Sequence, residues 1–188
     1  MKSRISALMF IATLLLVAVP ASADEYSDTV SIFKNAGESG AFFAKSYAYA
    51  VFPTVGKGGL GVGAAHGSGR VFAQGKHVGD VKMNQVSIGL QAGGQAFSQI
   101  IFFQDKRAFD EFASGSFEFD ATVQAVAITA SATATAGTAG ATAGAAGGKK
   151  DAATAGSYHK GIAVFTVAKG GLMYQAAVAG QKFKYESR

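Results

Sequence analysis

The chain has 188 residues, a formal net charge of +5, 25 glycines, and neither cysteine nor tryptophan. Without cysteine there is no disulfide bond and no thiolate for a metal site, so a hydrophobic core must hold the fold. The positive charge is modest and scattered along the chain, which argues against a nucleic-acid-binding protein. The length suits a single domain.

Residues 1–23 have the three parts of a secretory signal peptide of bacterial style. A basic start is followed by an apolar run and by the small residues Ala21-Ser22-Ala23, which are typical of a cleavage site. We therefore expect residues 24–188 to form one exported domain in the periplasm or cell envelope. Because a lipid anchor would need a cysteine, this domain is not expected to be a lipoprotein.

Two helices are predicted at the start of the exported domain. Over residues 24–36, Tyr26, Val30 and Phe33 form one apolar stripe at helical spacing. A second, shorter helix is expected over residues 38–47. A strand that ends at the following proline comes next.

The region from residue 57 to residue 104 favours short strands. A hairpin turn is predicted at residues 66–69, because two strand-like segments flank it. Further on, Val81, Met83 and Gln85 alternate with polar residues and should share one face of a strand.

A middle helix is predicted after Asp105, which is a suitable cap, and Gly115 should end it. Residues 121–136 are expected to form a strand, and residues 137–156 a flexible, low-complexity loop. Further strands then complete the chain. The predicted fold class is α+β: an antiparallel sheet, with closure into a barrel left open, packed against two N-terminal helices and one middle helix.

The glycine-rich stretch 55–69 contains one formal match to G-x-G-x-x-G. A dinucleotide-binding loop needs a helix after these glycines, whereas strand signals follow here, so no nucleotide cofactor is expected. Gly59, Gly61 and Gly63 instead leave one strand face without side chains. We expect a helix or a ligand to approach that face closely.

The three histidines, His66, His77 and His159, have no partner at helical metal-binding spacing, so no metal site is expected. A hydrolase site assembled from Ser157, His159 and an aspartate remains an alternative, although no spacing in the sequence supports it.

Basic and aromatic residues lie close together near the start of the exported domain. They are Lys34, Phe42, Phe43, Lys45 and Tyr47. Short helices that carry lysine beside bulky apolar groups are typical of membrane-surface contacts. The alternative is that the aromatic rings pack in the core, which is the more common fate of such rings taken singly.

Several glycine steps resemble those of the SYLF family. They are Phe52-Pro53, Lys57-Gly58-Gly59, Gly61-Val62-Gly63 and Gly67-Ser68-Gly69. The resemblance continues through residues 87–103 and the tail at residues 160–186. Members of this family bind phospholipids, often through an N-terminal amphipathic helix, and they are not known as enzymes. Fungal members also bind actin, which an exported bacterial protein would not meet.

The resemblance therefore implies a non-enzymatic phospholipid-binding protein without a cofactor, whose partner is a membrane surface. Lys34 and Lys45 are expected to meet phosphates, while Phe42, Phe43 or Tyr47 insert shallowly. The secondary candidates from the sheet are Lys57, Arg70 and Lys82. The alternative is a structural envelope protein that self-associates through its glycine-rich surfaces.

Overall fold

A computed structural model describes residues 24–128, 157–169 and 178–188. The predicted signal peptide, the predicted loop 137–156 and most of the last-but-one predicted strand lie outside these ranges. The described helices are α1 (Glu25–Asn35), α2 (Gly37–Gly40) and α3 (Lys106–Ala113). The described strands are β1 (Ala48–Ala73), β2 (Lys76–Phe103), β3 (Phe117–Glu118), β4 (Ala125–Ile128), β5 (Ile162–Lys169) and β6 (Lys182–Ser187). The α+β class is confirmed.

The two longest strands, β1 and β2, pair antiparallel from end to end. They are joined at Gln74 and Gly75, whose φ angles of 51° and 77° are those of a two-residue hairpin turn. The turn predicted at residues 66–69 is therefore wrong, because those residues continue β1. Their glycines do not turn the chain; they bring it close to another part of the same strand.

The strand β1 folds back on itself. A Cβ atom at Gly67 would lie 2.9 Å from the side chain of Val55, and one at Gly69 would lie 2.7 Å from the ring of Phe52. The bend between these halves includes Gly59, whose φ of 155° is rare for other residues. At Gly59, one of the three glycines at which a helix or a ligand was expected, a Cβ would instead meet Val62 and Gly63 of the same strand.

The bent ribbon makes two layers. The first, which we call the covered layer, contains residues 48–55 of β1, residues 96–103 of β2, and strands β5 and β4. The second, which we call the open layer, contains residues 62–73 of β1, residues 76–86 of β2, and strands β6 and β3.

The main core lies between the two layers. Phe52 of the covered layer contacts Phe183 of the open layer, with ring centroids 5.9 Å apart. The helix α3 closes the end away from the bend, since Phe112 packs against Phe103 and Phe183 at 4.7 and 5.4 Å. Asp105 caps this helix as predicted, accepting a hydrogen bond of 2.8 Å from the backbone N–H of Ala108.

A second cluster lies on the other side of the covered layer, under α1 and α2. Phe33 of α1 is fully buried there, together with Phe102 and Phe165 of the sheet. At the start of α1, Glu25 accepts hydrogen bonds of 2.9 Å from the Thr54 hydroxyl and 3.2 Å from the Lys169 ammonium. These two groups hold the pKa of Glu25 below its usual value. Because the main core lies on one side and this second cluster on the other, the covered layer is buried on both faces.

Two further expectations are corrected. The sheet is not wholly antiparallel, because β4 and β5 run parallel. The second helix, expected over residues 38–47, is a single turn, and hydrogen-bonded turns follow it. The reason is close packing against α1: the Ser39 hydroxyl donates to the carbonyl of Phe33 at 2.6 Å, and a Cβ at Gly40 would lie 2.5 Å from the carbonyl oxygen of Lys34.

The fold-back of β1 predicts a sharp difference between two glycines. We expect Gly69→Ala to lower the free energy of unfolding by about 1–3 kcal/mol, because the new methyl group would overlap the Phe52 ring. Gly56→Ala is the matched control, since a Cβ there meets nothing within 4 Å. Urea denaturation of both variants measures the difference, and equal stability of the two would contradict the fold-back.

Candidate functional site: the outer face of the open layer

The open layer has one face in the core and one in solvent. Residues of β1, β2 and β6 alternate between the two, as strand geometry requires. The solvent side, which we call the outer face, is exposed over most of its length, and only at Arg70, in its last row, do Asp24 and Tyr26 pack on it. Its exposed members are Val62, Ala64, His66, Ser68, Asp80, Lys82, Asn84, Val86, Lys182, Lys184 and Glu186.

The register of the strands sorts these side chains into rows across the sheet. The row beside the bend is apolar: Ala64 pairs with Val86, and Val62 is the next outward residue of β1. Val62 is 61% exposed and Val86 is 73% exposed, and they are two of the three exposed large apolar residues among the described side chains, which do not include those of residues 60–61 and 87–93. We call Val62, Ala64 and Val86 the apolar row.

The next two rows are polar and basic. His66, Asn84 and Lys182 lie side by side in the first, and Ser68, Lys82 and Lys184 lie side by side in the second, which we call the cationic row. In the first row, His66 Nδ1 lies 2.8 Å from Asn84 Oδ1.

The lysines of these rows differ in their partners. Lys182 lies 3.5 Å from a carboxylate oxygen of Glu118, and Lys184 lies 3.5 Å from one of Glu186. Lys82 has no carboxylate partner among the described residues. It is opposite Lys184 in the register, and like charges in that position repel each other.

The last row carries charges of both signs and limits the basic surface. Arg70, Asp80 and Glu186 lie across the sheet there. Arg70 forms an ion pair with Asp24 and stacks over Tyr26, with its guanidinium carbon 4.0 Å from the ring centroid. Arg70, a predicted lipid-contact residue, therefore holds the start of α1 on the sheet.

Of the predicted contact residues near the helices, Phe42 lies in the second cluster and Tyr47 lies beside the main core. Phe42 is only 7% exposed and packs against Phe102 and Phe165, with ring centroids 5.5 and 4.9 Å away. It fills the second cluster, as the core-packing alternative expected. Tyr47 is half-buried, and its ring centroid lies 5.9 Å from that of Phe109.

A smaller basic surface remains near α2. The Lys34 ammonium lies 5.4 Å from the ring centroid of Phe43, and Lys45 is exposed in the turn that follows. The Phe43 ring is itself half-buried against Tyr49 and Phe102, at 5.1 and 4.9 Å. We call Lys34, Phe43 and Lys45 the helix patch.

The eight predicted contact residues therefore do not form one site. Lys57 is half-buried near the bend, opposite Gln95, and only Lys82 lies among the exposed lysines of the outer face. Sequence reasoning missed Val62, Val86 and Lys184. One available signal was the alternation of lysine with aromatic residues in β6, which indicates a strand with one basic face.

The histidine that could have served a hydrolase meets other partners. His159 Nε2 lies 2.9 Å from the hydroxyl of Thr122, and Ser157 makes no hydrogen bond to it in the described chain. The Asp120 carboxylate accepts from Thr122 and, at 2.7 Å, from Lys160. In a catalytic triad the carboxylate contacts the histidine. Here the Asp120 carboxylate contacts Thr122 and Lys160 instead. It fastens residues 120–122 to the segment that leads into β5.

Metal ligands and membrane-spanning helices were also sought in the described ranges. They contain no cluster of three or more histidine, aspartate or glutamate side chains suited to a metal ion. Among the described helices, none has the length and apolar character needed to cross a bilayer.

Comparison with known proteins finds a distant similarity. No family model matches the chain. Over 156 residues it is 26% identical to Beta cell expansion factor A of Aeromonas veronii, an alignment that covers 82% of this chain and 51% of that protein. The chain thus spans about half the length of the curated relative it matches. The resemblance to the SYLF family stays a prediction.

The Asp120–Lys160 ion pair predicts a pH-dependent contribution to stability. The ammonium of Lys160 and the hydroxyl of Thr122 hold the pKa of Asp120 well below its usual value. A lowered pKa stabilises the folded chain above the unfolded value of about 3.9, and this gain is lost as the pH falls further. Asp120→Asn should therefore melt at a lower temperature than the parent at pH 7, and the gap should narrow at pH 3.

The same comparison needs a second variant that removes the other partner. Lys160→Met should reproduce the pH dependence of Asp120→Asn in thermal melts followed by circular dichroism. If the difference in melting temperature between each variant and the parent is the same at pH 7 and pH 3, the ion pair is not the source of that difference.

Proposed function

We propose that this protein binds phospholipid membranes as a peripheral protein of the periplasm or cell envelope. The observation that carries the proposal is the outer face, where exposed valines lie beside three exposed lysines. Exposed apolar groups that adjoin basic groups match the boundary between lipid tails and headgroups.

The energies suit reversible binding. Full burial of a valine side chain is worth about 1.5–3 kcal/mol, and a lysine near an anionic membrane surface contributes about 1 kcal/mol. Because both valines are largely exposed, most of this gain is still available to a partner. Ordering of the protein on the surface offsets part of the sum, so binding should be reversible and sensitive to salt.

The proposal includes three predictions made from the sequence. Removal of residues 1–23 during export would deliver the outer face to the envelope, where anionic phospholipids occur. Membership of the SYLF family would account for the glycine steps of β1. The third is closure of the sheet into a barrel, which is supported by the close approach of Gly67 and Gly69 to the other half of β1.

Self-association through glycine-rich surfaces has less support. Gly67, Gly69 and Gly79 are buried, and a Cβ at each would collide with a neighbouring residue of the fold. These glycines are therefore not available to a second copy. A concentration-dependent oligomer without lipid affinity would restore this alternative.

Co-sedimentation with vesicles tests the proposal directly. The purified exported chain should pellet with phosphatidylcholine vesicles that contain phosphatidylserine. The affinity of the double variant Val62→Ser/Val86→Ser for these vesicles should be lower by a factor of about ten or more, because it loses the apolar contact. Ile32→Ser on α1 is the control, since Ile32 is 37% exposed but lies away from the outer face. Absence of binding at low salt, both to these anionic vesicles and to vesicles of phosphatidylcholine alone, would refute the proposal.

A further inference from the structure

The rows of the outer face also indicate how the protein would sit on a membrane. Resting on the proposed function, we propose that the outer face meets an anionic phospholipid bilayer with its bend end first. The apolar row then reaches the edge of the hydrocarbon, and the lysines lie at the level of the lipid phosphates. This places the contact on the apolar and basic rows of the open layer, and not on the helix patch.

The spacing of the rows matches the thickness of the membrane interface. Strands rise about 3.4 Å per residue, so successive rows on one face are about 7 Å apart. The polar zone between hydrocarbon and water is about 5–8 Å thick on each side of a bilayer. When Val86 touches the hydrocarbon, Asn84 and Lys182, which are one row away, lie at phosphate level.

The cationic row is one step further out. The long side chains of Lys82 and Lys184 can extend toward the phosphates from there, as lysines do at membrane boundaries. The two face each other across neighbouring strands, and Lys82 has no carboxylate partner among the described residues. A lipid phosphate between the two ammonium groups would relieve their repulsion, so the favoured lipid is an anionic one.

The acidic groups explain why the bend, rather than the whole face, should meet the lipid. Asp80 and Glu186 lie in the row furthest from the bend. If the outer face lay flat on an anionic bilayer, these carboxylates would be pressed against lipid phosphates. A bend-first orientation keeps them in water.

The helix patch offers a weaker contact. Its ring, Phe43, is already packed against Tyr49 and Phe102, so little apolar surface is left to insert. Lys34 lies over that ring. The exposed apolar residue on this side is Ile32, which exposes a smaller fraction of its surface than Val62 or Val86.

Tryptophan reporters can read the orientation, because the chain contains no tryptophan of its own. Val86→Trp reports the outer face and Ile32→Trp reports the α1 side, each in the full exported chain. On vesicles of phosphatidylcholine and phosphatidylserine with brominated tails, the Val86→Trp emission should shift to the blue and be quenched. The Ile32→Trp emission should not change. Quenching of Ile32→Trp without quenching of Val86→Trp would overturn the orientation.

Two charge-matched double variants test the lysines. Lys82→Gln/Lys184→Gln should weaken binding to phosphatidylserine vesicles by about 30-fold, whereas Lys34→Gln/Lys45→Gln should change it less than threefold. A larger loss in the helix-patch variant, or an equal loss in both, would overturn the proposal. In each of these cases the parent still binds. If the parent does not co-sediment with either vesicle type, the proposed function itself has failed.

Discussion

The close approach of β1 to itself is the constraint on which the rest of the structure depends. Gly69 lies so near the Phe52 ring that a methyl group would not fit, and Gly67 is equally close to Val55. This contact turns one long ribbon into two layers with a core between them. A ribbon that stayed straight would leave Phe52 without its contact with Phe183 and would give α3 no end to close.

The two layers come from one pair of strands but meet different surroundings. Ile100 to Phe103 are buried without alternation, because the core lies on one side and α1 and α2 lie on the other. In the open layer the same strand, β2, alternates strictly, with Met83 inside and Asn84 outside. The difference follows from where the helices pack, and it leaves an amphipathic sheet face in solvent. That face is the basis of the proposed membrane contact.

The sequence was sufficient for features that depend on near neighbours along the chain. The cap of α3 at Asp105, the inward face of Val81 and Met83, and the α+β class were all confirmed. It was insufficient where distant residues decide. A glycine at position 67 or 69 is equally compatible with a turn and with a close contact, and only the approach of Val55 or Phe52 distinguishes them. For the same reason Lys82 was found but Val86 was not: its exposure depends on which layer the helices cover.

The contacts at the start of α1 have a consequence for how the chain is made. Asp24 is held by Arg70, which is 46 residues later, and Glu25 by Lys169, which is 144 residues later. The contact between Glu25 and Lys169 therefore cannot form until nearly the whole chain has left the ribosome. Contacts between such distant segments slow folding. If the chain is exported, as we propose, slow folding would help to keep it unfolded until it has crossed the membrane.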